Sequence, residues 1–253
     1  MVPFVVVRGA PHQQAGLLAE VLERRRRPVR LVDGRQADTL AAGEVRALTV
    51  LGGQETAEGR DGGLALVGRC LEAGVPVLAL SSGARLLAEA AGGGTGAGRG
   101  GIGFVAVTRA ADGRDDTIFH DFPDGTVCFT SDPACLRLPG AATVLAGHDG
   151  GPPQAFRIGS NAYGVQWHPE LGGRQLLAYA EAAPVAGLPT GRGADLQDLA
   201  DEARRREPFL RAAGAALLGR WVDMVVGRTD EEAPWGRRGP PPVPGPGLSL
   251  HPT

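Results

Sequence analysis

Lysine is missing from this chain. All 26 basic residues are arginine, and 28 acidic residues bring the net charge to -2. With no basic excess to neutralise phosphates, an electrostatic nucleic-acid partner is excluded. The 40 glycines and abundant alanine fit codon usage in a GC-rich genome better than a design for phosphate binding. No stretch of 18 apolar residues occurs, so no membrane span is expected. Met1 to Val7 is apolar but has neither a charged leader nor a small-residue cleavage site, which speaks against a signal peptide. Cysteine is scarce: Cys70, Cys128 and Cys135 are odd in number and lack CxxC spacing. That argues against a disulfide framework or a structural zinc site and points to a reducing cytoplasm. No metal and no redox cofactor are expected. What remains is ordinary globular material, 253 residues at 43% hydrophobic, enough for one domain with an appendage.

Strand and helix signals alternate through the first half. Pro3 to Arg8, Val29 to Val32, Leu48 to Leu51 and Pro76 to Leu80 read as short buried strands. Helical spacing fills Gln14 to Arg26, Leu64 to Ala73 and Ala84 to Ala91. This alternation predicts a parallel sheet covered on both faces. From Ile102 to Gln166 the pattern changes to five short strands with turn chemistry between them: 102–108, 126–130, 142–146, 154–158 and 162–166. A helix is expected to begin near Gly173, and another region from Ala194 to Val226 has helical spacing. The sequence beyond Gly227 is charged, then Pro-rich, and is read as a disordered tail.

Two segments carry chemistry. In the first, the buried run Pro76 to Leu80 delivers Ser81-Ser82-Gly83 at the start of a helix. This is the logic of a nucleophile elbow: a sharp turn exposes the side chain, small neighbours relieve crowding, and the next N–H joins an oxyanion hole. Gly52-Gly53, at the end of another strand, offers a second N–H. Ser-Ser-Gly at a strand end also serves as a plain helix N-cap. In the second segment, Gly164 to Glu170, His168 follows a strand and Glu170 lies two residues on. A nucleophile needs a base, and the base needs a carboxylate to fix its tautomer.

Together, Leu51-Gly52-Gly53, Pro76 to Ala88 and Gly164-Val165-Gln166-Trp167-His168-Pro169-Glu170 resemble the class I glutamine amidotransferases in content, order and spacing. Pro139-Gly140-Ala141 and Gln154 to Arg157 are similar to the stand-alone, synthase-like branch common in actinobacteria. The resemblance implies a doubly wound α/β fold with a mostly parallel sheet in flavodoxin-like layering and a C-terminal helical extension. It implies an amidotransferase-like domain over 1–185, the extension over 186–227 and the tail over 228–253. It also implies glutamine hydrolysis through a cysteinyl thioester, with ammonia passed to a partner enzyme. With serine in the cysteine position, the substrate expected here is a small-molecule amide or ester, and a partner enzyme would receive the transferred group. Ser81 would be the nucleophile, His168 the base and Glu170 its orienter. Gly53 and Ser82 would donate to the oxyanion, and Gly52, Arg85, Thr130, Ser131 and Asp132 would line the substrate.

The departures from that family are specific. Ser81 stands where the family has cysteine, and a serine hydroxyl does not ionise beside histidine as a thiol does. Arg85 replaces a substrate-holding glutamine; it can meet a carboxylate or phosphate bidentately, or be a solvated helix residue. Around Cys128 to Asp132 the branch's histidines are gone. Three readings stay open: a Ser-His-Glu enzyme acting on an amide or ester other than glutamine, a silent homologue that binds a ligand or partner, and an amidotransferase with cysteine exchanged for serine. Cys128 lies in a strand without an elbow, which argues against its being a substitute nucleophile. His12 sits where open α/β sheets bind ligands, but a satisfied surface histidine is the simpler account. The oligomeric state is left open.

Overall fold

The computed structural model describes residues 1–9, 13–52, 57–96, 102–131, 135–148, 151–172, 175–178 and 196–227. Its first strand, β1 (Phe4–Arg8), is buried on both faces: Phe4 and Val6 point into one core, Val5 and Val7 into the other. Alternation of side chains across the pleat makes this unbroken apolar run the signature of a central strand. Parallel neighbours flank it, β2 (Val29–Asp33) on one side and β3 (Ala47–Val50) on the other. Next to β3 lies β4 (Val77–Leu80), whose four residues are all buried.

Two short strands, β5 (Gly94–Gly96) and β8 (Cys135–Arg137), form a separate antiparallel ribbon. The others extend the main sheet: β6 (Gly103–Arg109), β7 (Thr126–Thr130), β9 (Ala142–Gly147), β10 (Ala155–Ile158) and β11 (Ala162–Val165). The nine-stranded order is β2-β1-β3-β4-β11-β10-β9-β6-β7. Strand β11 returns parallel to β4, whereas β10, β9, β6 and β7 continue antiparallel. The expected mostly parallel core is observed, and an antiparallel run of strands extends it beyond β11.

Helices cover both faces. On one side lie α1 (Gly16–Arg24) and the long C-terminal α5 (Leu196–Gly227); on the other lie α2 (Gly34–Asp38), α3 (Ala57–Glu72) and α4 (Ser82–Ala90). Residues 175–178 are also helical. Leu17, Leu18, Val21 and Leu22 of α1 share a core with Leu217, Leu218, Trp221 and Val222 of α5. Leu66, Val67 and Cys70 of α3 join Leu86 and Leu87 of α4 beneath Val5, Leu48 and Ala79. Sequence spacing locates the strands to within a residue or two, but α3 begins seven residues ahead of the expected Leu64. Neither α2 nor the β5–β8 ribbon was anticipated. The tail, with the helix start expected near Gly173, lies outside the described residues.

Candidate functional site

The parallel strands β3, β4 and β11 end at the same sheet edge, and their succeeding residues build the site. Ser81 leaves β4 with φ 53° and ψ -123°, one of two non-glycine residues at positive φ among those described. Such a conformation costs roughly 1–3 kcal/mol and persists only where the surroundings impose it. They do: the Ser81 N–H donates to the Val165 carbonyl at 2.8 Å, and the Ser81 carbonyl accepts from the Ala84 N–H at 3.0 Å. One end of the residue is thereby tied to β11 and the other to the first turn of α4. A side chain on Gly83 would run into the Val50 carbonyl, so glycine lets α4 start this close to β3. The sequence-predicted elbow is therefore present in backbone form.

Gly52 ends β3 directly against the elbow. A Cβ there would lie 2.7 Å from Ser82 Oγ, 2.8 Å from the Ser82 nitrogen and 3.0 Å from Ser81 Cβ. Gln13 braces this approach. Its Nε2 donates to the Gly52 carbonyl at 2.5 Å, and its Oε1 accepts from the Gly9 N–H at 2.8 Å, linking the ends of β1 and β3. The carbonyl it grips belongs to the Gly52–Gly53 peptide, a rigid planar unit. Gln13 went unnoticed in the sequence because a lone glutamine after a strand carries no signal by itself. Gly53, Asp132 and His12 lie outside the described residues.

His168 follows β11. Beyond Val165, Trp167 packs its indole against Phe119 and Phe122 at ring distances of 6.1 and 5.5 Å. The His168 N–H donates to the Phe129 carbonyl at 2.9 Å, and Trp167 bridges to Thr130, so this segment is laced to the end of β7. His168 Nδ1 and Glu170 Oε1 are 2.8 Å apart, with side-chain exposures of 1% and 4%. A carboxylate can only accept, so in the neutral imidazole the proton sits on Nδ1 and leaves Nε2 as acceptor. The Glu170 carbonyl in turn receives the Leu17 N–H at 2.9 Å, fixing the turn to α1. The second carboxylate oxygen, Glu170 Oε2, is buried without a partner among the described residues.

The hydroxyl on His168 Nε2 belongs to Ser131, at 2.8 Å, and not to Ser81. Ser81, Ser131, His168 and Glu170 are all buried. Thr130 is half-buried and donates to the Gln166 carbonyl at 3.3 Å. Arg85 sits half-buried on α4, already engaged in an interaction of its own. Burial pushes the Cys128 thiol far above its usual range and the Cys70 thiol up to about 12. Burial disfavours the thiolate at both positions, which argues against Cys128 as a substitute nucleophile. Among the described residues no group of His, Cys, Asp or Glu is assembled to hold a metal ion.

Comparison with solved structures finds the same fold. A glutamine amidotransferase from Thermotoga maritima superposes with a TM-score of 0.73 at 22% identity, covering 88% of this chain and 99% of its own. A glutamine amidotransferase from Methylobacillus flagellatus gives 0.75 at 18% identity, covering 88% and 95%. A protein described as a candidate GMP synthase subunit, from Thermoplasma acidophilum, gives 0.55 at 16% identity, covering 88% and 98%. No curated protein matches the sequence. The family model for glutamine amidotransferase class-I matches residues 13–180, well over half the chain and all of the elbow and His-Pro-Glu segments, and the chain belongs to that family.

Proposed function

We propose that this protein is a serine-based acyl-transfer enzyme on the amidotransferase scaffold, acting on an amide or ester other than glutamine. The observation that carries the reading is the buried His168–Glu170 pair at 2.8 Å, retained in a chain whose Ser81 has strained elbow geometry. A binding protein gains nothing from an imidazole with an orienting carboxylate, nor from the strain at Ser81.

In the proposed reaction Ser81 Oγ attacks the substrate carbonyl while its proton passes to His168 Nε2. The negative charge on the carbonyl oxygen is met by the Ser82 N–H, at the open N-terminus of α4, and by the Gly53 N–H. Collapse breaks the bond to the amine or alcohol, which leaves with the proton from His168. Water or an acceptor molecule, deprotonated by the same nitrogen, then attacks the acyl-serine and frees Ser81. Glu170 stabilises the imidazolium in both halves. Gly52, Arg85, Thr130, Ser131 and Asp132 surround the substrate, with Arg85 suited to an anionic group. Family membership supports a partner enzyme as acceptor of the released group.

The test compares the protein with Ser81→Cys and Ser81→Ala for ammonia release from L-glutamine, and for labelling by a fluorophosphonate serine probe. The expected result is no ammonia from any of the three, and label at Ser81 that disappears in Ser81→Ala. Ammonia from Ser81→Cys alone would instead indicate an intact glutamine pocket silenced by serine. Absence of label together with absence of ammonia would favour the silent homologue.

A further inference from the structure

The acceptor nitrogen of the base is occupied by the wrong serine for the reaction just proposed. Ser131 Oγ lies 2.8 Å from His168 Nε2 with both residues buried. With Nδ1 given to Glu170, the Ser131 O–H is the donor to Nε2. The backbone brings the two residues together, and the Ser131 side-chain rotamer completes the contact. The isolated Thr130–Trp167 bridge and the bond from the His168 N–H to the Phe129 carbonyl tie the segment after β11 to the end of β7. Ser131 directly follows that bridge, which places its hydroxyl within reach of the imidazole.

Resting on the assignment of Ser81 as nucleophile, we propose that Ser131 is a positioning residue that holds His168 Nε2 in the unliganded protein, and that an entering acyl ligand displaces it so the same nitrogen can take the Ser81 proton. Rotation about a single Ser131 side-chain bond releases the nitrogen, and the freed O–H turns to an acceptor oxygen of the ligand. No covalent bond changes in this step; one hydrogen bond is exchanged for another. Idle hydrolysis is thereby reduced, because Ser131 engages His168 Nε2 in most molecules until a ligand with a suitable acceptor arrives. A neutral hydrogen bond of ordinary strength biases such an equilibrium about fivefold.

The experiment uses the full chain and two readouts. The first is the side-chain nitrogen spectrum of 15N-histidine protein, in which the His168 signals are identified by their loss in His168→Gln. Ser131→Ala should move the Nε2 resonance and Ser131→Thr, which keeps a hydroxyl, should restore it. Ser81→Ala should leave it in place in the wild-type background but move it when added to Ser131→Ala, because the nitrogen then passes to Ser81. The second readout is the fluorophosphonate labelling rate, in which a Ser81 Oγ–P bond forms, the P–F bond breaks, fluoride leaves and the hydroxyl proton goes to His168. Ser131→Ala should accelerate labelling at Ser81 about fivefold. An Nε2 resonance unmoved by Ser131→Ala, or moved by Ser81→Ala alone, would overturn the proposal. So would label mapped to Ser131, or a labelling rate in Ser131→Ala no higher than wild type. If the resonances shift as expected while no variant labels at Ser81, the latch stands and the assignment of Ser81 as nucleophile is what fails.

Discussion

Ser81 carries its backbone strain for the sake of where its side chain points. At φ 53° an L-residue crowds its own carbonyl, and glycine does not. Ser81→Gly should therefore raise stability by about 1 kcal/mol, seen as a higher melting temperature, while abolishing serine-probe labelling. Ser81→Ala removes the same hydroxyl but keeps the strain, so it should melt near wild type; the contrast separates backbone relief from side-chain loss. Glu170 makes a different point. One oxygen fixes the imidazole and the other is buried without a partner among the described residues, so the carboxylate is kept despite its cost in solvation. Glu170→Gln should leave the protein folded yet slow labelling by about 10³- to 10⁴-fold, since an amide can hold the imidazole in the wrong tautomer. A fall below about tenfold would mean that His168 is not the base.

Helices α1 and α5 are joined at the surface as well as in the core. Arg25 at the C-terminal cap of α1 meets both carboxylate oxygens of Asp223 on α5, at 2.5 and 2.6 Å, and Arg211 meets Glu20 at 2.5 Å. The Arg25 hydrogen bond holds the Asp223 carboxyl below its usual range and raises the guanidinium in return. A depressed carboxylate stabilises the fold above its unfolded value, near 3.9, and that contribution disappears as pH falls through the lower folded value. Because the pair is largely exposed, solvent limits it to less than about 1 kcal/mol. Asp223→Asn should therefore lower the urea midpoint slightly at pH 7, and by a shrinking amount as pH falls below the unfolded value. Elements like these differ in how far the sequence discloses them. The buried runs of β1, β3 and β4 are plain because both faces must be apolar. The five-residue α2 has no room for an apolar period; it is set by the Asp33–Gln36 capping box. The first turns of α3 are masked by Gly59, Gly62 and Gly63, yet a side chain on Gly62 would strike the Gly34 carbonyl, so tertiary contact keeps glycine where propensity disfavours it. At the site the elbow and the His-Pro-Glu segment were legible as local patterns. The Ser131 contact was not, because it depends on how the segments after β7 and β11 meet across 37 residues of chain.

At the scale of the whole molecule, the family match ends at residue 180 but the core does not. Leu217, Leu218, Trp221, Val222 and Val225 of α5 are buried in one cluster with Phe4 of β1 and with Leu18 and Leu22 of α1. Without α5 that face of the sheet and the inner stripe of α1 would meet water, so the helix is part of the folding unit. Trp221 is the largest of these groups, fully buried with its ring edge-on to Phe4 at 5.9 Å. Trp221→Ala should cost about 3–5 kcal/mol, read as a lower urea midpoint with an unchanged slope in a single transition. The indole N–H, however, is buried with no partner among the described residues, a debit of about 1–3 kcal/mol. Trp221→Phe keeps most of the apolar surface and removes that donor, so it should lie within about 1 kcal/mol of wild type. If both variants are nearly neutral, α5 is only docked on an independently stable domain and a second, lower transition should belong to it. If Phe costs as much as Ala, the shape of the indole outweighs its unpaired donor, and the core around β1 is packed too closely to adjust.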